Sequence, residues 1–596
     1  MSSSSYSSKD EDVDSIIRQA VLKNAVQHDG KAKSDNVISK VIAQRPNLRN
    51  QIKSLVPQIR QAVEELNHLT LAQQKELLAH TSTDGTEASK ENEKVRLLPS
   101  LPDAQMGRVV TRFPPEPNGY PHIGHAKAAI IDEEYARLYN GKLILRFDDT
   151  NPLNEKIEYY EAINDGLHWL GVVPDIVKNT SDDITLLCDY GKKLVETGGA
   201  YICSCSQTRI REMRAKGIPC ECRSVSSESK EKLRTFFDGS VEPNSAIIRF
   251  KGNMADTNTA MRDPTLFRII DGQHPKLGGS NRVWPTYDFA APVEDSLDGV
   301  THALRTKEYE LRNALYYAIL DKLLLRKPIL LEFSRLEFDC MPVSKRKIVP
   351  LINNGLVQGW ADPRLPTLAA LRRRGFMPEA IRKFVLSLGF TLSETKPPFE
   401  SLEASNRKII DPTSIRLFFV KNPTILMVKN AHLQEVILNN HPNFDLGHRR
   451  IEVSSLFYID ENDAISMEIG EEVRLMELYN VTIRDAVPET QPNRVEICGT
   501  NSARNERVLI AERTGEIISH NMRKIQWVAK NDALPYHVLV PRQLYNGENF
   551  NSNSLECFQG YAESFIGSLS KGTIIQLVRF GFCSINDDNT AIFTHR

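Results

Sequence analysis

The sequence predicts an α/β protein with a nucleotide-binding parallel sheet in its first half and an all-β region at its C-terminal end. Three observations lead there. A short apolar run at Val109, Val110 and Phe113 is halted by Pro114, Pro115, Pro117 and Gly119; a helical segment then leads to a second run at Leu143, Ile144, Leu145 and Phe147, the pattern of a βαβ unit. Four of the nine cysteines fall in two close pairs. Beyond Asp411-Pro412 the signal turns from helices to strands separated by turn clusters such as Asn546-Gly547.

At 596 residues the chain exceeds one ordinary core, and two to four domains are expected. The 41% hydrophobic and 25% charged residues are ordinary for a globular protein. A net charge of −1 gives no global nucleic-acid signal, although a basic patch on one face vanishes in such a total. No apolar run is long enough to span a bilayer, and Met1–Tyr6 lacks the apolar core of a secretion signal. A cytoplasmic protein without membrane association is expected. The clustered cysteines suit metal binding in a reducing compartment better than a disulfide scaffold.

In chain order, residues 1–14 are serine-rich, then acidic, and are expected to be disordered. Residues 15–82 show helical spacing (Ile16, Ile17, Ala20, Val21; Val37, Ile38, Val41, Ile42; Val56, Ile59, Val63, Leu66) and form an N-terminal helical domain, and 83–105 read as a linker. Residues 106–340 hold the nucleotide-binding sheet. Its first helix carries Ala126, Ala129, Ile130 and Leu138 toward the core, with Glu133 and Glu134 interrupting that apolar face, and stops near Gly141. His122-Ile123-Gly124-His125 falls beyond the carboxyl end of the first strand, where a helix N-terminus points free amides at anions. Two imidazoles there can donate to phosphates, and Gly124 lets a flat base lie against the backbone; a surface turn that happens to hold two histidines fits the same four residues.

Residues 200–280 change character and are read as an insertion. Cys203-Ser204-Cys205 and Cys220-Glu221-Cys222 are separated by a short polar, helix-like segment, and two such pairs can close a tetrahedral zinc site; unrelated or oxidised cysteines are the alternatives. The stretch from Trp284 to Tyr309 reads as a strand-like run crossing buried aromatics and ending in His302 and Arg305. Residues 341–412 are a basic loop followed by helices, and 413–596 read as one or two β-barrels.

Arg112-Phe113-Pro114-Pro115-Glu116-Pro117-Asn118-Gly119-Tyr120-Pro121-His122-Ile123-Gly124-His125 and Leu145-Arg146-Phe147-Asp148-Asp149-Thr150-Asn151 resemble the HIGH signature and following string of class I aminoacyl-tRNA synthetases, in the glutamyl/glutaminyl branch. Met341-Pro342-Val343-Ser344-Lys345-Arg346-Lys347 resembles the second signature of that class in its SKRK form, with Val343 in place of methionine, Pro342 of the first lysine and Arg346 of the final serine. Trp360–Thr367 and Asn406-Arg407-Lys408 are similar to archaeal, eukaryotic and glutaminyl members, and Asn24–Ala32 resembles an N-terminal extension of archaeal glutamyl members. The resemblance runs from Val13 onward.

It implies a Rossmann-type catalytic domain, an insertion contacting the tRNA acceptor end, and C-terminal anticodon-binding barrels. The implied reaction is ATP-dependent attachment of L-glutamate to tRNA(Glu) through glutamyl-adenylate by a monomer, with Mg²⁺ accompanying ATP; whether tRNA(Gln) is also charged stays open. The resemblance assigns His122, His125, Ser344 and Lys345 to catalysis, and Pro115, Gly124, His122, His125 and Lys345 to ATP. A cationic loop such as 344–347 stabilises charge developing on leaving pyrophosphate. Arg112, Asp148 and Tyr287 are implied to frame the amino acid, with Asp148 taking its ammonium. Glu116 matches less well, since bacterial relatives carry serine there. Arg305 offers the planar, permanent cation that a substrate γ-carboxylate needs, where glutaminyl members carry an uncharged residue. Some glutamyl members carry a cysteine-rich zinc site in the region of Cys203, Cys205, Cys220 and Cys222, and others have lost it. Two alternatives are a glutaminyl-tRNA synthetase, against which Arg305 stands, and a catalytically silent tRNA-binding scaffold, against which intact His122, His125, Ser344 and Lys345 stand.

Overall fold

The computed structural model describes residues 98–596 except 225–229, 395, 489–506, 518–521 and 588; before residue 98 it describes 52–70 and scattered positions between 17 and 77. The expected disordered tail at 1–14, linker residues 83–97 and part of the Asn24–Ala32 string lie outside the described residues. The chain divides into two compact units, residues 1–97 and 98–596.

In the first unit the helix Ile52–Asn67 turns Leu55, Ile59, Ala62, Val63 and Leu66 inward, a spacing that keeps them on one face. They pack with Ile17, Val21, Val37 and Val41, so the helical spacing read in this region marks a buried stripe.

The second unit begins with a parallel sheet. Strands β1 (Val110–Phe113), β2 (Lys142–Phe147) and β3 (Ile176–Asn179) pair in that order, with Val110 opposite Lys142 and Ile144 opposite Ile176. Helix α1 (Ile123–Leu138) makes the crossover, and its Ala126, Ala129 and Ile130 are fully buried against the sheet. Gly141 follows it where an added Cβ would meet the Val109 carbonyl oxygen at 2.0 Å, so only glycine lets the chain turn into β2 this closely.

Between β3 and the rest of the sheet lies an antiparallel four-stranded sheet, β4 (Ala200–Cys203), β5 (Ile247–Phe250), β6 (Thr265–Ile269) and β7 (Val283–Pro285), in sequence order. The strand-like run expected from Trp284 to Tyr309 is a strand, a helix and a strand. After Pro285, helix α2 (Tyr287–Leu297) buries Phe289, Ala290 and Val293 at helical spacing, and the chain then enters β8 (His302–Thr306). Short apolar runs do not distinguish a buried strand from a buried helix by pattern alone, which is why the helix was hidden. β8 pairs in parallel with β9 (Ile329–Phe333) and lies beside β1, where the Thr301 amide donates to the Val110 carbonyl at 2.9 Å. The carboxyl ends of β1, β2 and β8 therefore open on one side of the sheet.

Helix α3 (Lys345–Asn353) and further helices through Ile410 follow. The C-terminal part forms two seven-stranded sheets, one within 423–529 and one joining strands of 415–421 to strands of 533–595. Each mixes parallel and antiparallel pairs: Pro423–Lys429 runs antiparallel to Leu456–Asp460 and parallel to Arg507–Gly515. Their separate cores centre on Trp527 and on Val538 with Ile575. Among the described residues no helix is long and apolar enough to cross a membrane.

Candidate active site

The carboxyl ends of β1, β2 and β8 and the N-termini of α1, α2 and α3 surround a cavity of about 650 Å³. Arg112, Pro115, His122, Gly124, His125, Asp148, Tyr287, Arg305 and Ser344 all line it, so residues scattered over two hundred positions meet at one place.

His122 caps α1. Its Nδ1 accepts the Gly124 amide at 3.1 Å, and His125 Nδ1 accepts the His122 amide at 3.2 Å. Since each Nδ1 is an acceptor, each ring carries its proton on Nε2 and presents it as a donor. The rings lie 4.0 Å apart. Burial pushes His122 well below its ordinary value and His125 down to about 4, so both are neutral donors near pH 7. Gly124 has a reason beyond room for a base: a Cβ there would sit 2.9 Å from His122 Cε1. The turn is also gripped from outside. Ile123 N–H donates to the Pro366 carbonyl at 3.0 Å and Leu368 N–H to the Pro121 carbonyl at 2.9 Å, a short antiparallel bridge centred on His122 and Thr367.

The side of the cavity lined by Arg112, Asp148 and Arg305 is built on buried charges. Arg112 leaves β1 toward Asp295 of α2, with Nη1 donating to the Leu304 carbonyl at 2.8 Å. Arg146 of β2 reaches Asp295, Asp298 and Asp148. Asp148 accepts Arg146 Nε at 3.3 Å and the Thr180 hydroxyl at 3.2 Å, both on Oδ1, while Oδ2 accepts no hydrogen bond from the described residues. Burial raises this carboxyl to about 6 against the pull of Arg146, so it is largely ionised at pH 7 and suited to a cation.

Arg305 differs from Arg112 and Arg146. It is 5% exposed and touches no carboxylate among the described residues. Its Nη2 donates to Asn313, its guanidinium lies over the rings of Tyr316 at 5.1 Å and Tyr309 at 5.8 Å, and its Nε is buried without an acceptor. Tyr287 stands beside it, packed on Tyr309 at 5.0 Å. A buried cation with an orphaned donor calls for an anion.

Ser344 caps α3, and its hydroxyl makes no capping bond, so it is free for another partner beside the first amides of that helix. Of the residues expected to bind ATP or the amino acid, Lys345 alone does not line the cavity: its Nζ lies over the Tyr159 ring, 5.3 Å from the centroid. His302, the other end of the Trp284–Tyr309 reading, is buried behind the sheet, with Nε2 2.8 Å from the Pro102 carbonyl.

Several residues that shape the site escaped sequence reasoning. Lys127 and Asp132 line the cavity from α1. Lys127 Nζ donates to Ser334, and burial lowers it to about 8. Asp295, which fixes Arg112, lies on α2. The visible signal for all three was a charged residue on an apolar helix face.

Away from the cavity, the four expected cysteines come together. Cys203 ends β4, Ser206 caps the helix Gln207–Lys216, Gly217 ends it at φ +68°, and a short turn then brings in Cys220 and Cys222. The four Sγ atoms lie within 4.8 Å of one another, with Cys203–Cys220 and Cys205–Cys222 each at 3.8 Å. A tetrahedron with metal–sulfur bonds of about 2.3 Å has edges close to that length. Arg249 approaches Cys220 Sγ at 3.6 Å and Cys203 Sγ at 3.8 Å, which fits sulfurs bearing negative charge.

The chain matches the family model of class I tRNA synthetases (E and Q), catalytic domain, over residues 108–412. It matches two models of the E and Q anti-codon binding domain over 414–500 and 524–586. A glutamate–tRNA ligase of Nitrosopumilus maritimus is 44% identical over 98% of this chain and 100% of its own length. The corresponding enzyme of Cenarchaeum symbiosum is also 44% identical with the same coverage, and that of Pyrococcus furiosus is 34% identical over 98% of this chain and all of its own.

Proposed function

The chain belongs to the class I tRNA synthetases of the E and Q branch, and from that premise we propose that it is a glutamate–tRNA ligase whose active site is the cavity at the carboxyl ends of β1, β2 and β8. The glutamate α-carboxylate attacks the α-phosphate of ATP, pyrophosphate leaves, and a ribose hydroxyl at the tRNA 3′ end then takes the acyl group from the adenylate.

The observation that carries the choice of amino acid is Arg305, a buried guanidinium with no carboxylate partner among the described residues and an unpaired Nε. It pairs with the substrate γ-carboxylate. Asp148 takes the α-ammonium, and Arg112 and Tyr287 frame the space between. His122 and His125 donate Nε2–H to phosphate oxygens as neutral rings, and Ser344 with the first amides of α3 receives the β- and γ-phosphates, joined by Lys345. Pro115 and Gly124 give the nucleotide a flat wall. No general base is needed, because positioning and fixed dipoles supply the acceleration on an already activated phosphate. Mg²⁺ bound with ATP neutralises phosphate charge.

The sheet β4–β7 with its cysteine knuckle is assigned to the tRNA acceptor end, and the C-terminal sheets to the anticodon. The knuckle fits Zn²⁺ held by Cys203, Cys205, Cys220 and Cys222; four protein ligands leave no open position, so its role is structural.

Pyrophosphate exchange with glutamate and with glutamine, each with and without tRNA, tests the reading. Glutamate-dependent exchange is expected. Exchange with glutamine alone would make the chain a glutaminyl enzyme, and none under any condition would make it a tRNA-binding scaffold.

A further inference from the structure

Lys345 lies over Tyr159, one of three mutually packed rings that come from three separate segments. Tyr120 of the turn before α1 stacks on Trp360 at 5.2 Å and an interplanar angle of 11°. Tyr159 stands edge-on to both, 6.1 Å from Tyr120 and 6.4 Å from Trp360. The Lys345 stem runs over Gly119, where an added Cβ would lie 3.8 Å from its Cβ and Cδ and 3.9 Å from Trp360. Its ammonium ends on the Tyr159 face. Val343 and Ser344 line the cavity, whereas Lys345, the residue that follows them, does not.

We propose that the Tyr120–Tyr159–Trp360 box is a parking site for Lys345, and that Tyr159 is a positioning residue governing how readily this lysine is released to the phosphates of ATP. The proposal rests on the reading of Lys345 as a phosphate ligand. The ring and the phosphates compete for one ammonium. A quadrupole holds a cation on an exposed ring by about two- to five-fold in equilibrium, and more where water is excluded. The apparent dissociation constant for ATP is then the intrinsic one divided by the fraction of protein with Lys345 released, whereas turnover at saturating ATP is unaffected, because every bound complex has already drawn the lysine across. Tyr159 is 4% exposed, so its ring cannot swing away instead; the lysine must leave it. Lys156 Nζ lies over the same ring at 5.7 Å, and the test must separate the two cations.

Glutamate-dependent pyrophosphate exchange in the full-length chain reads this out as KM for ATP against kcat. Tyr159→Phe, which keeps the ring, should leave both unchanged. Tyr159→Leu should lower KM for ATP about two- to five-fold at constant kcat. Because a leucine at a buried site can soften the fold, pentafluorophenylalanine at position 159 gives the second arm: it keeps the shape of the ring and removes the negative face, and should lower KM by a similar factor. Combined with Lys345→Ala, neither replacement should move KM. Unchanged or raised KM in both the leucine and the pentafluoro variants, or the same fall without Lys345, overturns the parking site. If Lys345→Ala itself leaves exchange intact, the reading of Lys345 as a phosphate ligand fails first, a distinct outcome.

Discussion

Arg112 Nε lies 3.0 and 3.1 Å from the two carboxylate oxygens of Asp295, with both side chains closed off from solvent. The same carboxylate stands 2.9 Å from Arg146 Nη2 and accepts the Tyr316 hydroxyl at 2.9 Å. Burial pushes Asp295 up, and the two guanidiniums outweigh it and hold it below the ordinary carboxylate range. One anion thus fixes the cations leaving two adjacent strands, and through them one wall of the proposed glutamate pocket. Asp295→Asn leaves two buried guanidiniums short of charge. Removing one partner of a buried pair costs about 3–5 kcal/mol. A large fall in denaturation midpoint together with a raised KM for glutamate is the expected result, and an unchanged midpoint would mean that Arg112 and Arg146 find other partners.

Arg305→Cys should collapse glutamate activation and leave ATP binding nearly intact. A hydrogen bond to a charged group contributes about 1.5–3 kcal/mol, or roughly ten- to more than a hundredfold in affinity. The substrate carboxylate left unpaired adds to the loss. Good use of glutamine does not follow, because its amide donors would still lack placed acceptors. Exchange kinetics with both amino acids measure this, and glutamate activity within a few-fold of the parent would remove Arg305 from the pocket.

Gly124→Ala places a methyl carbon where His122 Cε1 is 2.9 Å away. The ring must turn, losing the bond from the Gly124 amide and with it the aim of Nε2. Displacing a catalytic group by about 1 Å can cost on the order of a hundredfold in rate. The loss should appear in kcat for exchange while the overall fold, followed by circular dichroism, stays intact.

The two histidines make the site sensitive to acid in a definite direction. His125 is held down at about 4 by burial, so the unfolded chain binds a proton that the folded chain refuses between that value and the ordinary 6.5. Its contribution is fully present above about pH 6.5 and is lost as pH falls toward and through about 4. Asp148, raised to about 6, works in the opposite sense, its contribution being lost as pH rises through about 6. A comparison of parent with His125→Gln isolates the histidine. Across that window the parent's stability should fall more steeply than the variant's, by at most about 1.4 kcal/mol per pH unit for one proton. Parallel curves would show that the ring titrates normally.

Protein purified under reducing conditions should carry close to one zinc per chain. Cys203→Ser with Cys220→Ser should release it and increase amide exchange around β4 and the helix Gln207–Lys216. Metal analysis that finds no zinc in the parent would retire the site.

Much of this arrangement was legible in the residues. Pro114 to Gly119 punctuates β1 so strongly that the turn holding His122 and His125 could be placed by eye, and paired cysteines around a polar helix brought four thiols to one point. What stayed hidden shares a cause. Arg112, Asp295 and Arg146 satisfy one another across long sequence gaps, and nothing local marks a charge as buried when its partner lies nearly two hundred positions away. Tyr287 to Leu297 looked extended because aromatic and β-branched residues fit a strand as well as the inner face of a helix. The placing of Lys345 on Tyr159 depends on three segments meeting, a fact of packing rather than of motif.

The bridge between Pro121–Ile123 and Pro366–Leu368 is itself held from the far end of the chain. Arg364 is clamped by Asp362 and donates to the Ser554 hydroxyl at 3.0 Å, and Leu544 packs with Ile348, Leu351 and Leu365. The ribosome delivers Leu544 and Ser554 after every residue that lines the cavity. At about 5–20 residues per second, Ser554 is made roughly 20 to 90 s after His122, and throughout that interval the turn lacks its outer brace. A nascent chain halted before residue 544 should therefore hold the sheet but not a working pocket, so glutamate activation is acquired only once residues 544–554 have been made.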